Sequence, residues 1–250
     1  MILEIFLVLG VLGIILIFFY RQAVQEFRIL QTESVEKAMP LIHERCPIVV
    51  LPFALPGQLW TQSDIKQRPT LISYSTNGRP LSERLTQDSV QLSPDAAEAL
   101  ASQVGFPVWV KKTILPTFQE SVWWGPILKS RTEAMIGAQG LRQTYAYCTI
   151  LMATEGALSV SLLNESADAY LPTKWLGKRV TKLTRDDAPL LHQIQYIDVI
   201  VRPGSAIFIP PHWKVCWENH ETPKPSLSAW IEIHHPLSQF VQAASLRRLK

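Results

Sequence analysis

Imidazoles and carboxylates gather in the last third of the chain, where His212, His220, His234 and His235 lie with Glu218 and Glu232 among them. Nitrogen and carboxylate oxygen donors at that density are the ligand chemistry of a divalent cation, and His212, Glu218 and one of the later histidines form the candidate set. His234 and His235 cannot both serve, because successive side chains of a strand point to opposite faces. Satisfied surface or loop histidines are the competing and ordinary reading, so no catalytic, cofactor-binding or metal-ligating residue is assigned and no cofactor is expected. Cys46, Cys148 and Cys216 are odd in number and widely spaced, which suits a reducing compartment rather than a disulfide framework or a metal knuckle. Against that, Asn164-Glu165-Ser166 is a glycosylation sequon, usable only in a secretory lumen. There is no Gly-rich phosphate loop, His-Glu-x-x-His helix, nucleophile elbow or Cys-x-x-Cys pair.

Two further stretches have binding chemistry. Residues 166–189 carry Lys174, Lys178, Arg179, Lys182 and Arg185 around Trp175 and Leu176, a basic insertion that suits phosphates or acidic lipid, with a solvated loop as the ordinary alternative. A net charge of +3 without a basic stripe excludes a strong nucleic-acid footprint. Trp109, Trp123 and Trp124 with Phe118 form either an exposed aromatic surface or, the reading adopted, aromatic packing around a sheet edge.

The elements that must position these groups begin with an apolar run. Ile2 to Tyr20 holds one charge, Glu4, and is just long enough to cross a hydrocarbon core, so residues 1–20 are read as a transmembrane anchor rather than a cleaved signal peptide. Arg21 and Arg28 after it favour a cytoplasmic body by the positive-inside tendency. Residues 21–40 have helical spacing and predict a juxtamembrane stalk ended by Pro40. Cys46 to Phe53 predicts a buried strand, and Leu71, Ile72 and Tyr74 at most one short strand before the Asn77-Gly78 turn. Ser93-Pro94-Asp95 announces a helix ending at Gly105. Tyr145 to Met152 and Leu158 to Leu162 around Thr154-Glu155-Gly156 predict a hairpin. Closely spaced strands over 194–201, 206–209, 213–217 and 227–233 follow, the pattern of an antiparallel double sheet, and residues 236–250 predict a closing amphipathic basic helix.

The most structured stretch is Val201 to Trp217. Pro203-Gly204 makes a tight turn, Ala206 to Ile209 a buried strand, and Pro210-Pro211 a stop, since neither ring can donate to a ladder. Its core, PGSAIFIPPHW, resembles the Pro-Gly-Asp-x-hydrophobic-hydrophobic-Ile-Pro-x-x-Trp segment of Jumonji-C-like and related cupin-type jelly-roll proteins. The resemblance covers residues 47–233 in outline and implies a double-stranded β-helix, mainly β with peripheral helices, over residues 41–235. In enzymes of that family iron is held by a His-x-Asp or His-x-Glu pair and a distant histidine. The distant position falls here on Val215; the pair falls on Ala146 and Cys148 if Gly137 and Gly140 are the anchor, or on Arg142 and Thr144 if the count runs back from Glu155-Gly156.

No register supplies a ligand set. The function expected is a membrane-anchored, catalytically inactive domain serving as an accessory or structural binding subunit of a membrane-associated assembly. Its partners would be membrane lipid through residues 2–20 and other proteins, with no nucleic acid and with a small ligand in the barrel as a further option. An iron or other metal-dependent oxygenase with relocated ligands is the alternative.

Overall fold

In the computed structural model of the chain, eight strands cross back and forth between two facing sheets. The structure describes residues 7–15, 27–56, 60–68, 75–76, 79–81, 85, 89–184, 186, 188–220, 224–239 and 242. The strands are β1 Leu30–Thr32, β2 Ile48–Val50, β3 Ser75–Thr76, β4 Arg79–Pro80, β5 Ser89–Val90, β6 Lys129–Gly137, β7 Gln139–Gln143, β8 Cys148–Glu155, β9 Ala157–Leu163, β10 Ile197–Val201, β11 Ala206–Ile209, β12 Lys214–His220 and β13 Leu227–His234. The larger sheet has the order β1-β2-β11-β8-β13-β6-β5 and the smaller β10-β9-β12-β7. From β6 to β13 the chain alternates between sheets except at β9 and β10, which are antiparallel neighbours in the smaller sheet; this is the winding of a double-stranded β-helix.

Between the sheets lies one apolar layer, including Leu151, Ile207, Trp213, Val215, Trp217 and Trp230. The opposite face of the larger sheet is covered by helices. They are α1 Val35–Leu41, α2 Gln62–Gln67, α3 Pro94–Val104, α4 Phe106–Trp109 and α5 Leu115–Ser121. Helix α3 starts and stops where its sequence says: the Ser93 side chain accepts from the Ala96 N–H, Pro94 occupies the first turn, and Gly105 closes it at φ 87°. The outer face of the smaller sheet is covered by the basic insertion, whose Leu171, Trp175, Val180 and Leu183 pack on Leu163 and Cys216. The insertion thus covers an apolar surface with short turns and leaves Lys174 and Lys182 exposed.

Several expectations are corrected. The stalk is not one helix: β1 pairs in parallel with β2, Leu30 opposite Ile48, and α1 begins only after Ser34, whose side chain caps it. Pro40 sits inside α1 rather than ending it. The hairpin is also absent, because β8 belongs to the larger sheet and β9 to the smaller. Gly156, at φ 75° and with Ser226 against it, turns the chain from one layer to the other where a Cβ would be strained and crowded. Residues 106–121 are helical rather than a sheet edge: α4 and α5 are joined by a π-helical turn, Val110–Ile114, next to Pro116, which has no N–H to donate. Their aromatic groups pack on the sheet, Phe118 stacking on Phe208 at 6.1 Å between centroids, while Trp123 is 92% exposed.

Among the described residues no helix is long and apolar enough to cross a membrane; residues 7–15 are helical, and the rest of the predicted span lies outside the described residues. So do Leu71, Ile72, Tyr74, the Asn77-Gly78 turn itself and most of the terminal helix, of which Pro236 to Gln239 are helical. Strands β3 and β4 pair on either side of that turn.

Candidate functional site

A cavity of about 400 Å³ opens between the sheets where β6 faces β7. Its chemistry follows from register. Glu133 pairs with Trp230 and Arg131 with Glu232, so Arg131, Glu133 and Met135 of β6 share one face with Trp230 and Glu232 of β13. Met135 and Trp230 belong to the apolar layer between the sheets, and the face they lie on continues toward one end as charge. From the facing sheet, β7 sends in Arg142.

The Arg142 guanidinium is held on three sides. Its Nη2 donates to Glu133 Oε2 at 2.7 Å, its Nη1 lies 3.8 Å from Met135 Sδ, and its central carbon stands 4.8 Å from the Trp230 ring centroid. Glu133 is 2% exposed and is also approached by Arg131 Nη2 at 3.4 Å, whose Nε donates to Glu98 of α3 at 3.1 Å. Glu232, likewise buried, accepts from Trp230 Nε1 at 3.0 Å and meets His234 Nε2 at 3.0 Å; His234 Nδ1 lies 3.3 Å from Ser238 Oγ. Burial pushes the Glu232 carboxyl upward, but the hydrogen bonds and charges of His234, with Trp230 and Arg142, outweigh it and hold the group below the usual carboxylate range. Glu232 is therefore ionised throughout the neutral range.

The rest of the cavity is amphipathic. Gln139, Gln143 and Tyr145 supply polar groups, with the Tyr145 hydroxyl donating to Gln143 Oε1 at 2.9 Å, and Leu92, Met135, Leu141 and Leu176 supply an apolar wall. In the apolar layer between the sheets Trp217 and Trp230 are stacked at 5.6 Å between centroids, with Trp217 Nε1 donating to the Gly137 carbonyl at 3.2 Å. Gly140 forms part of the rim: Gly177 N–H donates to the Leu141 carbonyl, and a Cβ on Gly140 would collide with the Gly177 backbone.

The histidine cluster suggested by the sequence does not assemble. His212, at φ 71°, packs edge-on to Tyr145 at 6.2 Å, whereas Glu218 pairs with Thr181 on the outer side of the smaller sheet. His234 faces Glu232 and His235 faces Trp124 and Tyr147, opposite sides as strand alternation requires. Burial pushes the Cys148 thiol up strongly and the Cys216 thiol to about 11, so neither is a ready nucleophile. The sequon's Asn164 is 7% exposed and its side chain accepts from Ser166 Oγ at 2.5 Å, a packed position. Sequence reasoning missed β6 altogether, although Arg131, Glu133 and Met135 recur at period two as Trp230 and Glu232 do.

Strand pairing distinguishes the two candidate registers for an iron site. Arg142 pairs with Val215 across the β7–β12 ladder, which agrees with the register counted back from Glu155-Gly156. The three positions then hold Arg142, Thr144 and Val215. A guanidinium repels a metal cation, and valine has no donor atom. Thr144 Oγ1 is spent on the corner, donating to the Pro210 carbonyl at 2.7 Å and accepting from the Trp213 N–H at 3.1 Å. Among the described residues no group of three or more His, Cys, Asp or Glu is arranged to hold a metal ion. The residues present do not fit an iron centre of this kind.

No family model and no curated protein matches the chain. Among solved structures, it is similar to the non-heme alpha-ketoglutarate-dependent epimerase SnoN from nogalamycin biosynthesis, at 11% identity, 80% of this chain, 83% of that chain and a TM-score of 0.48. The complex of the same epimerase with Fe3+, alpha ketoglutarate and nogalamycin RO gives 13% identity, the same coverage and a TM-score of 0.47. Procruciferin, an 11S globulin from Brassica napus, gives 14% identity over 42% of this chain and 21% of that one, with a TM-score of 0.27.

The expectation of a catalytically inactive domain is corrected at this point. It rested only on the loss of iron ligands at Arg142, Thr144 and Val215. Missing ligands at three positions rule out one donor set and leave other chemistry open.

Proposed function

We propose that the chain is an enzyme of the cupin-type class that transfers protons on a small organic molecule held between β6 and β7, using its own charged side chains. One observation carries the reading: an ionised, buried carboxylate, Glu232, lines a cavity together with two guanidinium groups. In the proposed step Glu232 removes a proton from carbon next to a carbonyl, the C–H electron pair becomes the enolate C=C bond, and the carbonyl oxygen takes the negative charge. Arg142 and Arg131 stabilise that oxygen, and this offsets the modest basicity of a depressed carboxylate. On an α-hydroxy ketone, delivery of the proton by Glu232 to the former carbonyl carbon, with the hydroxyl proton of the first carbon passing to the enolate oxygen, completes an isomerisation with no net redox change.

The test is hydrogen–deuterium exchange in D2O, followed by proton NMR, on D-fructose, dihydroxyacetone and acetoin. Exchange above the uncatalysed rate, reduced by about 100-fold or more in Glu232→Gln, is the expected result. Absence of exchange with all three, or a full rate in Glu232→Gln, refutes the reading.

A second proposal concerns location. We infer that residues 2–20 hold the protein to a membrane, the body lying on the cytoplasmic or equivalent inner side. In support, residues 7–15 are helical and present Leu7, Leu9 and Ile14 at 66%, 58% and 70% exposure, an apolar surface suited to lipid. Retention in the membrane pellet after alkaline carbonate extraction is expected; release into the supernatant overturns it.

A further inference from the structure

We propose that the ligand of the β6–β7 cavity is an uncharged, polyhydroxylated molecule of about one sugar ring. The requirement for a carbonyl rests on the proton-transfer reading above; the requirement for neutrality comes from the charges in the wall and stands apart from it. Among the described residues the cations lining the cavity are Arg131 and Arg142, and both are already committed. Arg142 holds Glu133, and Arg131 is shared between Glu133 and Glu98. The lining carboxylates are equally engaged, Glu133 with both arginines and Glu232 with His234.

A carboxylate or phosphate on the ligand would have to draw Arg142 away from Glu133, leaving a buried carboxylate without its partner. An ammonium would have to enter beside two guanidinium groups. A hydroxyl meets neither penalty. It donates to a carboxylate lone pair and accepts from a guanidinium N–H at once, so it can join the pairs without breaking them. Each carboxylate has about four lone-pair sites and each guanidinium five N–H groups, more than the contacts described use. Several hydroxyls on one ring match the alternation of Glu and Arg along β6 and β13, while Leu92 and Leu141 offer a wall for the ring's C–H surface. A volume of about 400 Å³ falls at the small end of the range for ligand cavities.

The test is saturation-transfer NMR on the full chain with D-fructose, D-glucose, D-glucuronate, D-glucose 6-phosphate and D-glucosamine as probes. The neutral sugars are expected to bind at least about 10-fold more tightly than their charged analogues, a discrimination of the size set by displacing one paired charge. The variant Leu176→Trp, at a rim residue that is 52% exposed, is expected to abolish the signal while leaving the fold unchanged by circular dichroism. Equal or tighter binding of a charged probe overturns the proposal, as does binding of no probe or a signal unaffected by Leu176→Trp. Binding of neutral sugars without deuterium exchange sinks the proton-transfer reading alone; exchange on acetoin without sugar binding sinks this one alone.

Discussion

Replacing Arg142 by methionine removes the guanidinium that pairs with Glu133 while retaining an unbranched side chain against Trp230. Glu133, 3% exposed at its side chain, then loses its shortest partner, the 2.7 Å contact from Arg142 Nη2. Breaking a fully buried pair from one side costs about 3 to 5 kcal/mol, because the remaining charge is left in a medium that solvates it poorly. Two features lower that figure here. Arg142 is 29% exposed at its side chain, so part of its interaction is screened by water, and Arg131 remains 3.4 Å from Glu133. A loss of about 2 to 3 kcal/mol follows, which for a chain of this length lowers Tm by about 4 to 12 °C. The double variant Glu133→Gln, Arg142→Met removes both charges and is expected to recover more than half of the loss, since no buried carboxylate remains unpaired. Thermal denaturation of the four proteins, followed by circular dichroism at 222 nm, completes the cycle. A single variant within about 0.5 kcal/mol of the parent, or a double variant no more stable than the single, refutes the view that a guanidinium neutralises this barrel.

Gly140→Ala forces a methyl group into the Gly177 backbone, so the β7 edge and the insertion loop must separate; a loss of about 2 kcal/mol or more is expected, by chemical denaturation, together with weaker ligand binding. Acidification is expected to destabilise the protein in two stages. Burial, then the charge of His234, depresses His235, so the unfolded chain takes up the proton first and stability falls as pH drops through about 6.5. Glu232 is depressed as well, so its contribution is present above about 4.5 and is lost below it. Tm measured from pH 8 to pH 3 should show both, the first removed in His235→Gln and the second in Glu232→Gln; a Tm that rises on acidification contradicts both assignments.

How much of this could be seen in the residues depended on whether a signal was local. The Pro203-Gly204 turn, the stop at Pro210 and the Ser93 cap are set by dihedral restriction and missing N–H groups, which act within a few residues, and each is where the sequence puts it. The pairing partners of β8 and β9 depend instead on a layer change at Gly156, and a glycine in a turn reads the same whether the chain doubles back in one sheet or crosses to another. Leu30 to Thr32 has helical spacing with its neighbours, yet the unpaired edge of β2 claims it as a strand. The site was hidden for a related reason. Arg131, Glu133 and Arg142 look like ordinary surface charge until register brings three strands together and buries their salt bridges, and histidines drew attention that the structure gives to an arginine.

The Trp230 indole beside Arg142 gives the protein an optical probe of its own. Indole emission responds to the field of a nearby positive charge, and the guanidinium stands 4.8 Å from the Trp230 centroid. Whatever shifts Arg142 on entering the cavity should alter the fluorescence of that one ring. With eight tryptophans in the chain the change is best read as a difference against Trp230→Phe. Occupancy can therefore be followed in a cuvette without a label and before any substrate has been identified.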